Sequence, residues 1–183
     1  MSNATSTEHI VLLRGINVGG VRLKMAELRE ALERAGFEQV RTVLASGNVV
    51  LESAESDPEQ VKAQAEATLR EAFGYEAWVV VTSADELSEV VRGYPFDEDD
   101  EGMQPYVMFA SESASLDALE ALGPKLDAEV ERIKRAPAVL YWEVTRGQST
   151  KSRLGKEAAR VRYKSTTTTR NMRTLRKILA LTR

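Results

Sequence analysis

Three glycines and an asparagine fall within seven residues in Arg14-Gly-Ile-Asn-Val-Gly-Gly20, directly after the apolar run HIVLL. Glycine lets the backbone come close to a ligand and lets main-chain N–H groups point at it. Arg14, Gly15, Asn17, Gly19 and Gly20 therefore form one half of a candidate anion site, with Arg22 and Lys24 a few residues on at the start of a helical pattern. The stronger phosphate fingerprints are absent. A Walker A loop needs G-x-x-x-x-G-K-[ST], whereas here Gly15-x-x-x-Gly19-Gly20 runs into Val-Arg, and the G-x-G-x-x-G of dinucleotide folds does not occur. A bend without a ligand is the competing reading of the same glycines.

A second constellation is Ser46-Gly47-Asn48, a turn signal between two β-rich runs. A third lies near the C-terminus, where STKSRLGK and TTTTRN offer Lys151, Arg153, Lys156, Arg170 and Asn171 among hydroxyls. Guanidinium, ammonium and hydroxyl donors suit phosphate oxygens. The structural alternative is loop and capping chemistry, with Thr169 or Asn171 capping the last helix. Tyr163 is the aromatic close to this segment, so a nucleic-acid surface here would bind mainly by charge.

Composition excludes other chemistry. The 183 residues contain no Cys and one His, which removes thiolate catalysis, cysteine zinc sites and multi-histidine metal centres. His9 opens the first strand and reads as a strand residue rather than a general base. The acidic run Asp97 to Glu101 lacks the ligand spacing of an EF-hand and reads as a solvated loop. Neither a metal nor a cofactor is expected. No apolar run approaches 18 residues, no leader is visible, and there is no disulfide framework, so a cytoplasmic protein with no membrane contact is expected.

Net charge is −3, unevenly spread. From Arg146 to Arg183 there are 12 Lys/Arg against one acidic residue, Glu157, leaving 13 basic and 27 acidic residues before them. Such asymmetry points either to an anionic partner for the basic part or to a basic segment folded against an acidic body. Apolar residues continue through the segment at helical spacing, which favours the second.

Elements that would position these groups follow from periodicity. Residues 8–13 form a strand; Met25, Leu28, Ala31, Leu32 and Ala35 share a helical face ending at Gly36; 40–45 and 48–52 form a hairpin. Asp57-Pro58 opens a helix with Gln60 at the capping-box position, Gly74 ends it, and 77–81 is a strand. The order βαββαβ is that of a ferredoxin-like plait. A second plait begins at the Ser83-x-x-Glu86 capping box, with strands at 105–111, 128–134 and 138–145, helices from Leu116, in SRLGKEAARV and in NMRTLRKILAL, and no visible last strand.

The expected fold is α+β: two ferredoxin-like (alpha-beta plait) subdomains packed together, 8–82 and 83–183, the latter carrying the basic C-terminal helices. HIVLL and WVVV are apolar at every position, as strands buried on both faces are. In a plait the first and second strands run parallel with the third between them, so RGINVGG should adjoin Ser46-Gly47-Asn48.

HIVLLRGINVGG, MAELREALERAGFEQVRTVLASGNVVLES and the later TTTTRN together resemble the widespread bacterial domain of unknown function 1697, over nearly the whole chain. The resemblance implies two plait-like subdomains and no assigned activity. Members often carry Trp and then Asn after the Arg-Asn pair, whereas Met172 and Arg173 stand here, so no role for that aromatic transfers. The functional expectation is a small-anion (phosphate or nucleotide) site at RGINVGG, of a binding protein or of an enzyme whose reaction the residues do not name. The alternatives are a nucleic-acid module using the basic segment, and a structural or oligomer subunit with no ligand.

Overall fold

The computed structural model describes residues 6–14, 16 and 21–183. By its internal contacts the chain forms two compact units, residues 1–88 with 176–183, and residues 89–175. The last eight residues thus group with the first unit, although the sequence reading placed everything after 82 in the second.

In the first unit, β1 (Thr7–Arg14), α1 (Met25–Arg34), β2 (Glu38–Val43), β3 (Asn48–Ser53), α2 (Pro58–Phe73) and β4 (Trp78–Thr82) follow the expected βαββαβ order. The sheet runs β2-β3-β1-β4, with β1 antiparallel to both neighbours. Alternation along β1 sends Val11 and Leu13 toward α1 and α2, where they meet Leu28, Leu32, Val61 and Leu69. Ile10 and Leu12 point to the other face and are equally buried, as the unbroken apolar run predicts. Asp57 caps α2 by accepting from the Glu59 N–H, and Gly74 ends it in the left-handed conformation at φ 64°.

α3 (Ala84–Arg92) begins with the predicted reciprocal capping box. Ser83 Oγ accepts from the Glu86 N–H and the Glu86 carboxylate accepts from the Ser83 N–H. The backbone N–H, the Thr82 hydroxyl and the Ser83 hydroxyl hold the Glu86 carboxyl below the usual range, against the opposing pull of burial.

The second unit repeats the topology with β5 (Met103–Ala110), α4 (Ser113–Glu120), β6 (Glu131–Arg135), β7 (Val139–Thr145), α5 (Arg153–Ala158) and β8 (Thr167–Asn171), in the order β6-β7-β5-β8. Here the sequence expectation needs correction: the last strand exists, and it is the TTTTRN segment read as loop and cap. Thr is β-branched and suits a strand, but four in a row show no apolar alternation to betray one. Thr167 and Thr168 are buried, and the Thr167 hydroxyl donates to the Tyr163 carbonyl at 3.0 Å. Asn171 then caps α6 (Met172–Leu179), its Oδ1 accepting from the Thr174 N–H at 2.8 Å. The core on the helix side comprises Met108, Leu116, Leu119, Leu140, Trp142 and Leu154.

Candidate functional site

The first unit brings the end of β1 beside the β2–β3 turn, as the plait topology requires. The Leu13 N–H donates to the Gly47 carbonyl at 2.8 Å, extending the ladder into the turn. Gly47 sits at φ +77°, and a Cβ there would lie 2.6 Å from Ile16 Cδ1 and 2.8 Å from Leu13 Cβ. This glycine therefore serves a close approach: Ile16, from the middle of RGINVGG, packs directly on the turn.

The polar groups of the turn are directed inward. The buried Asn48 amide donates to the Val43 carbonyl at 2.8 Å and to Ser46 Oγ at 2.9 Å, which uses both of its N–H groups. Asn48 is thus a turn-closing residue, and its expected role as a donor to a ligand is not supported by where its hydrogens go.

Arg14 ends β1, directly opposite Trp78 at the start of β4 and on the face away from α1 and α2. Burial draws its guanidinium below the ordinary arginine value, the mark of a cation partly stripped of water. Lys24 occupies the N-cap position of α1 without a side-chain cap, is exposed, and pairs with Glu27 at 3.3 Å. Arg22 is exposed as well. Gly15, Asn17, Gly19 and Gly20 lie outside the described residues.

The remaining expected residues belong to the second unit. Lys151 is exposed in the turn before α5; Arg170 is buried in β8, donating to the Thr168 hydroxyl at 2.7 Å and the Thr169 carbonyl at 3.0 Å; Asn171 is the cap of α6. Arg153 and Arg146 donate to backbone carbonyls, Arg160 and Arg162 share Glu157, and Arg183 reaches Glu52 at 2.7 Å. Much of the basic segment is therefore engaged within the fold. Tyr163 is buried and unable to stack on a base.

His9 is buried in β1 and its Nε2 lies 3.0 Å from the Glu55 carbonyl, a strand residue as expected. A hollow of about 400 Å³ lies between α1 and α2, walled by Ala31, Ala35, Thr68 and Ala72 with Arg34 and Glu71, at the far end of α1 from Lys24. Among the described residues no group of acidic or histidine side chains is arranged to hold a metal, and no helix is long and apolar enough to cross a membrane.

Residues 6–141 match the model of a family described as Protein of unknown function (DUF1697). The chain belongs to the DUF1697 family. No curated protein matches it. Among solved structures, this DUF1697 chain is similar to the conserved bacterial protein SP0830 from Streptococcus pneumoniae, with a TM-score of 0.77 and 24% identity over 96% of this chain and 98% of that one. That likeness is one of fold. An unknown protein from Galdieria sulphuraria aligns over 96% of this chain and 88% of its own at 10% identity, with a TM-score of 0.28.

Sequence reasoning passed over several buried polar residues of this family member. Glu131 accepts from Trp142 Nε1 at 3.0 Å and from the Leu154 N–H at 3.1 Å, pinning α5 to the sheet. Glu143, in the otherwise apolar run VLYWEV, is almost fully buried and paired to Arg132. A carboxylate inside a strand buried on both faces was the available signal.

Proposed function

We infer that the first unit binds a small anion, of the phosphate or nucleotide class, where β1 ends and RGINVGG leaves the sheet. The observation that carries this is the place of Arg14: a half-buried guanidinium at the end of the central strand, beside the Gly47 turn, where an added anion is attracted more strongly than at an open surface. Lys24 and the N-terminus of α1, with no side chain capping it, add positive potential nearby in sequence. Gly47, Asn48 and Ser46 shape the turn that supports the site, and Ile16 seats the loop upon it.

Thermal unfolding across inorganic phosphate, pyrophosphate and nucleotides at low and moderate salt tests the reading. A saturable shift that survives salt is expected, amounting to about 2.7 kcal/mol at a hundred times Kd. Arg14→Gln should abolish the shift while the protein still unfolds cooperatively. An equal shift in Arg14→Gln, or none in the parent, overturns the proposal and leaves the glycines as architecture. Shifts with every polyanion, short DNA and RNA included, that vanish with salt point instead to nonspecific contact through the basic segment.

A further inference from the structure

Trp78 is the first residue of β4, an edge strand of the first sheet, and it stands directly opposite Arg14. Val79 belongs to the helix-side core, so alternation turns Trp78 to the other face, the one that carries Arg14, Leu12 and Ile10. Trp78 and Arg14 are partly exposed, whereas Ile10 and Leu12 further along are fully buried. An indole and a guanidinium thus share the corner of the sheet at which β1 ends.

The same face sorts its charges along the strands. Glu8 and Glu52 lie opposite each other at the far end, where they are paired with Arg41 and Arg183. At the near end the strand positions next to Arg14 and Trp78 on this face are Leu12, Asn48 and Val80, and none of these is a carboxylate. An anion held at this corner meets a cation and no acidic strand residue.

What the corner adds to charge is a flat aromatic surface. Every nucleobase has a π-face that stacks on such a ring, and stacking asks for an accessible face rather than an enclosing cavity. Directly opposite strand residues have Cβ atoms about 5 Å apart, a separation that one ribose bridges between base and phosphate. Inorganic phosphate would engage the guanidinium and leave the indole unused. We propose that Trp78 makes this site selective for nucleoside phosphates, its indole stacking on the base while Arg14 holds the phosphate. This rests on the anion site inferred above and names the anions it prefers. An indole that only covers the sheet corner would contribute stability and no selectivity, and that difference is measurable.

The test titrates the full chain with adenosine monophosphate, ribose phosphate and inorganic phosphate at moderate salt, followed by calorimetry and by tryptophan emission. Adenosine monophosphate should bind about tenfold more tightly than ribose phosphate, the worth of one stacked base, and it alone should quench the emission. Trp142, the other tryptophan, is buried and donates to Glu131 at 3.0 Å, so quenching reports on Trp78. Trp78→Leu should lower adenosine monophosphate to the affinity of ribose phosphate and leave ribose phosphate unchanged. Equal affinity of the two in the parent, or a preference that survives in Trp78→Leu, overturns the proposal and leaves the anion site standing. Absence of binding by all three overturns both. Should Trp78→Leu fail to fold, the parent decides, and adenosine monophosphate binding without quenching overturns the proposal.

Discussion

In the first unit the central strand β1 buries Ile10 and Leu12 on the face away from its helices; in the second, the central strand β5 likewise buries Val107 and Phe109 there, but its neighbours add the buried Tyr141, Glu143 and Arg170. Strand order and connections are the same in both. Topology therefore fixes which residues share a face and leaves the chemistry of that face to the individual side chains. An apolar face needs only shape, whereas a buried polar face must satisfy each donor and acceptor. The second unit meets that demand at Glu131 and falls short of it at Glu143 and Tyr94.

Four experiments can break or sharpen this contrast. The largest effects come from the helix-side cores: Leu51→Ala in the first unit and Leu140→Ala in the second, both fully buried, should each cost about 3 kcal/mol. Hydrogen exchange should show each loss concentrated in its own unit. Uniform loss over both units would mean that the two cores do not behave separately.

Glu131→Gln comes next. It keeps the shape of the side chain but replaces a charged acceptor by an amide that must offer a donor to one of two N–H groups, at a cost of about 2 kcal/mol. Trp142 emission should shift as its indole N–H loses its partner, and an unmoved spectrum with unchanged stability would make the carboxylate dispensable.

A smaller effect belongs to the C-terminal clasp of the first unit. Arg41 bonds Glu8 at 2.7 Å and the Leu181 carbonyl, and Arg183 reaches Glu52. Because these pairs are partly solvated, Arg41→Ala should cost about 1 kcal/mol, less in high salt. A loss that salt does not reduce would show that the carbonyl contact, rather than the ion pair, holds the tail.

The last test is the alkaline one. Burial pushes Tyr75 up to about 12 and raises Tyr94 and Tyr141 too. A tyrosine whose pKa is raised on folding contributes stability below its unfolded value near 10 and loses it as pH climbs through the folded value. Absorbance at 295 nm should therefore show these three of the five tyrosines ionising late, together with unfolding. Ionisation of Tyr75, Tyr94 and Tyr141 near pH 10 in the folded protein would instead place their hydroxyls in water.

Much of this fold was legible beforehand because hydrophobic period reports burial directly. HIVLL, the MAELREALERAG face and the Asp57-Pro58 and Ser83-x-x-Glu86 starts each became the expected element. The strand in TTTTRN was hidden because threonine carries its strand preference in Cβ branching and conceals it behind a hydroxyl. At the candidate anion site, the sequence led to Arg14 and to the neighbouring turn, yet it could not say that the Asn48 amide is consumed within that turn.

The amino-acid order by itself determined the first βαββαβ run, the second up to its last strand, and the family, since these rest on local periodicity, caps and contiguous motifs. Only the tertiary structure decided that the last eight residues group with the first unit, that Ile16 rests on Gly47, and that Glu143 is buried against Arg132 with one oxygen unpartnered. Those facts join residues far apart in the chain or on different strands. Which distant groups meet, and which of their hydrogen bonds go unmade, is set by register and packing rather than by any local pattern.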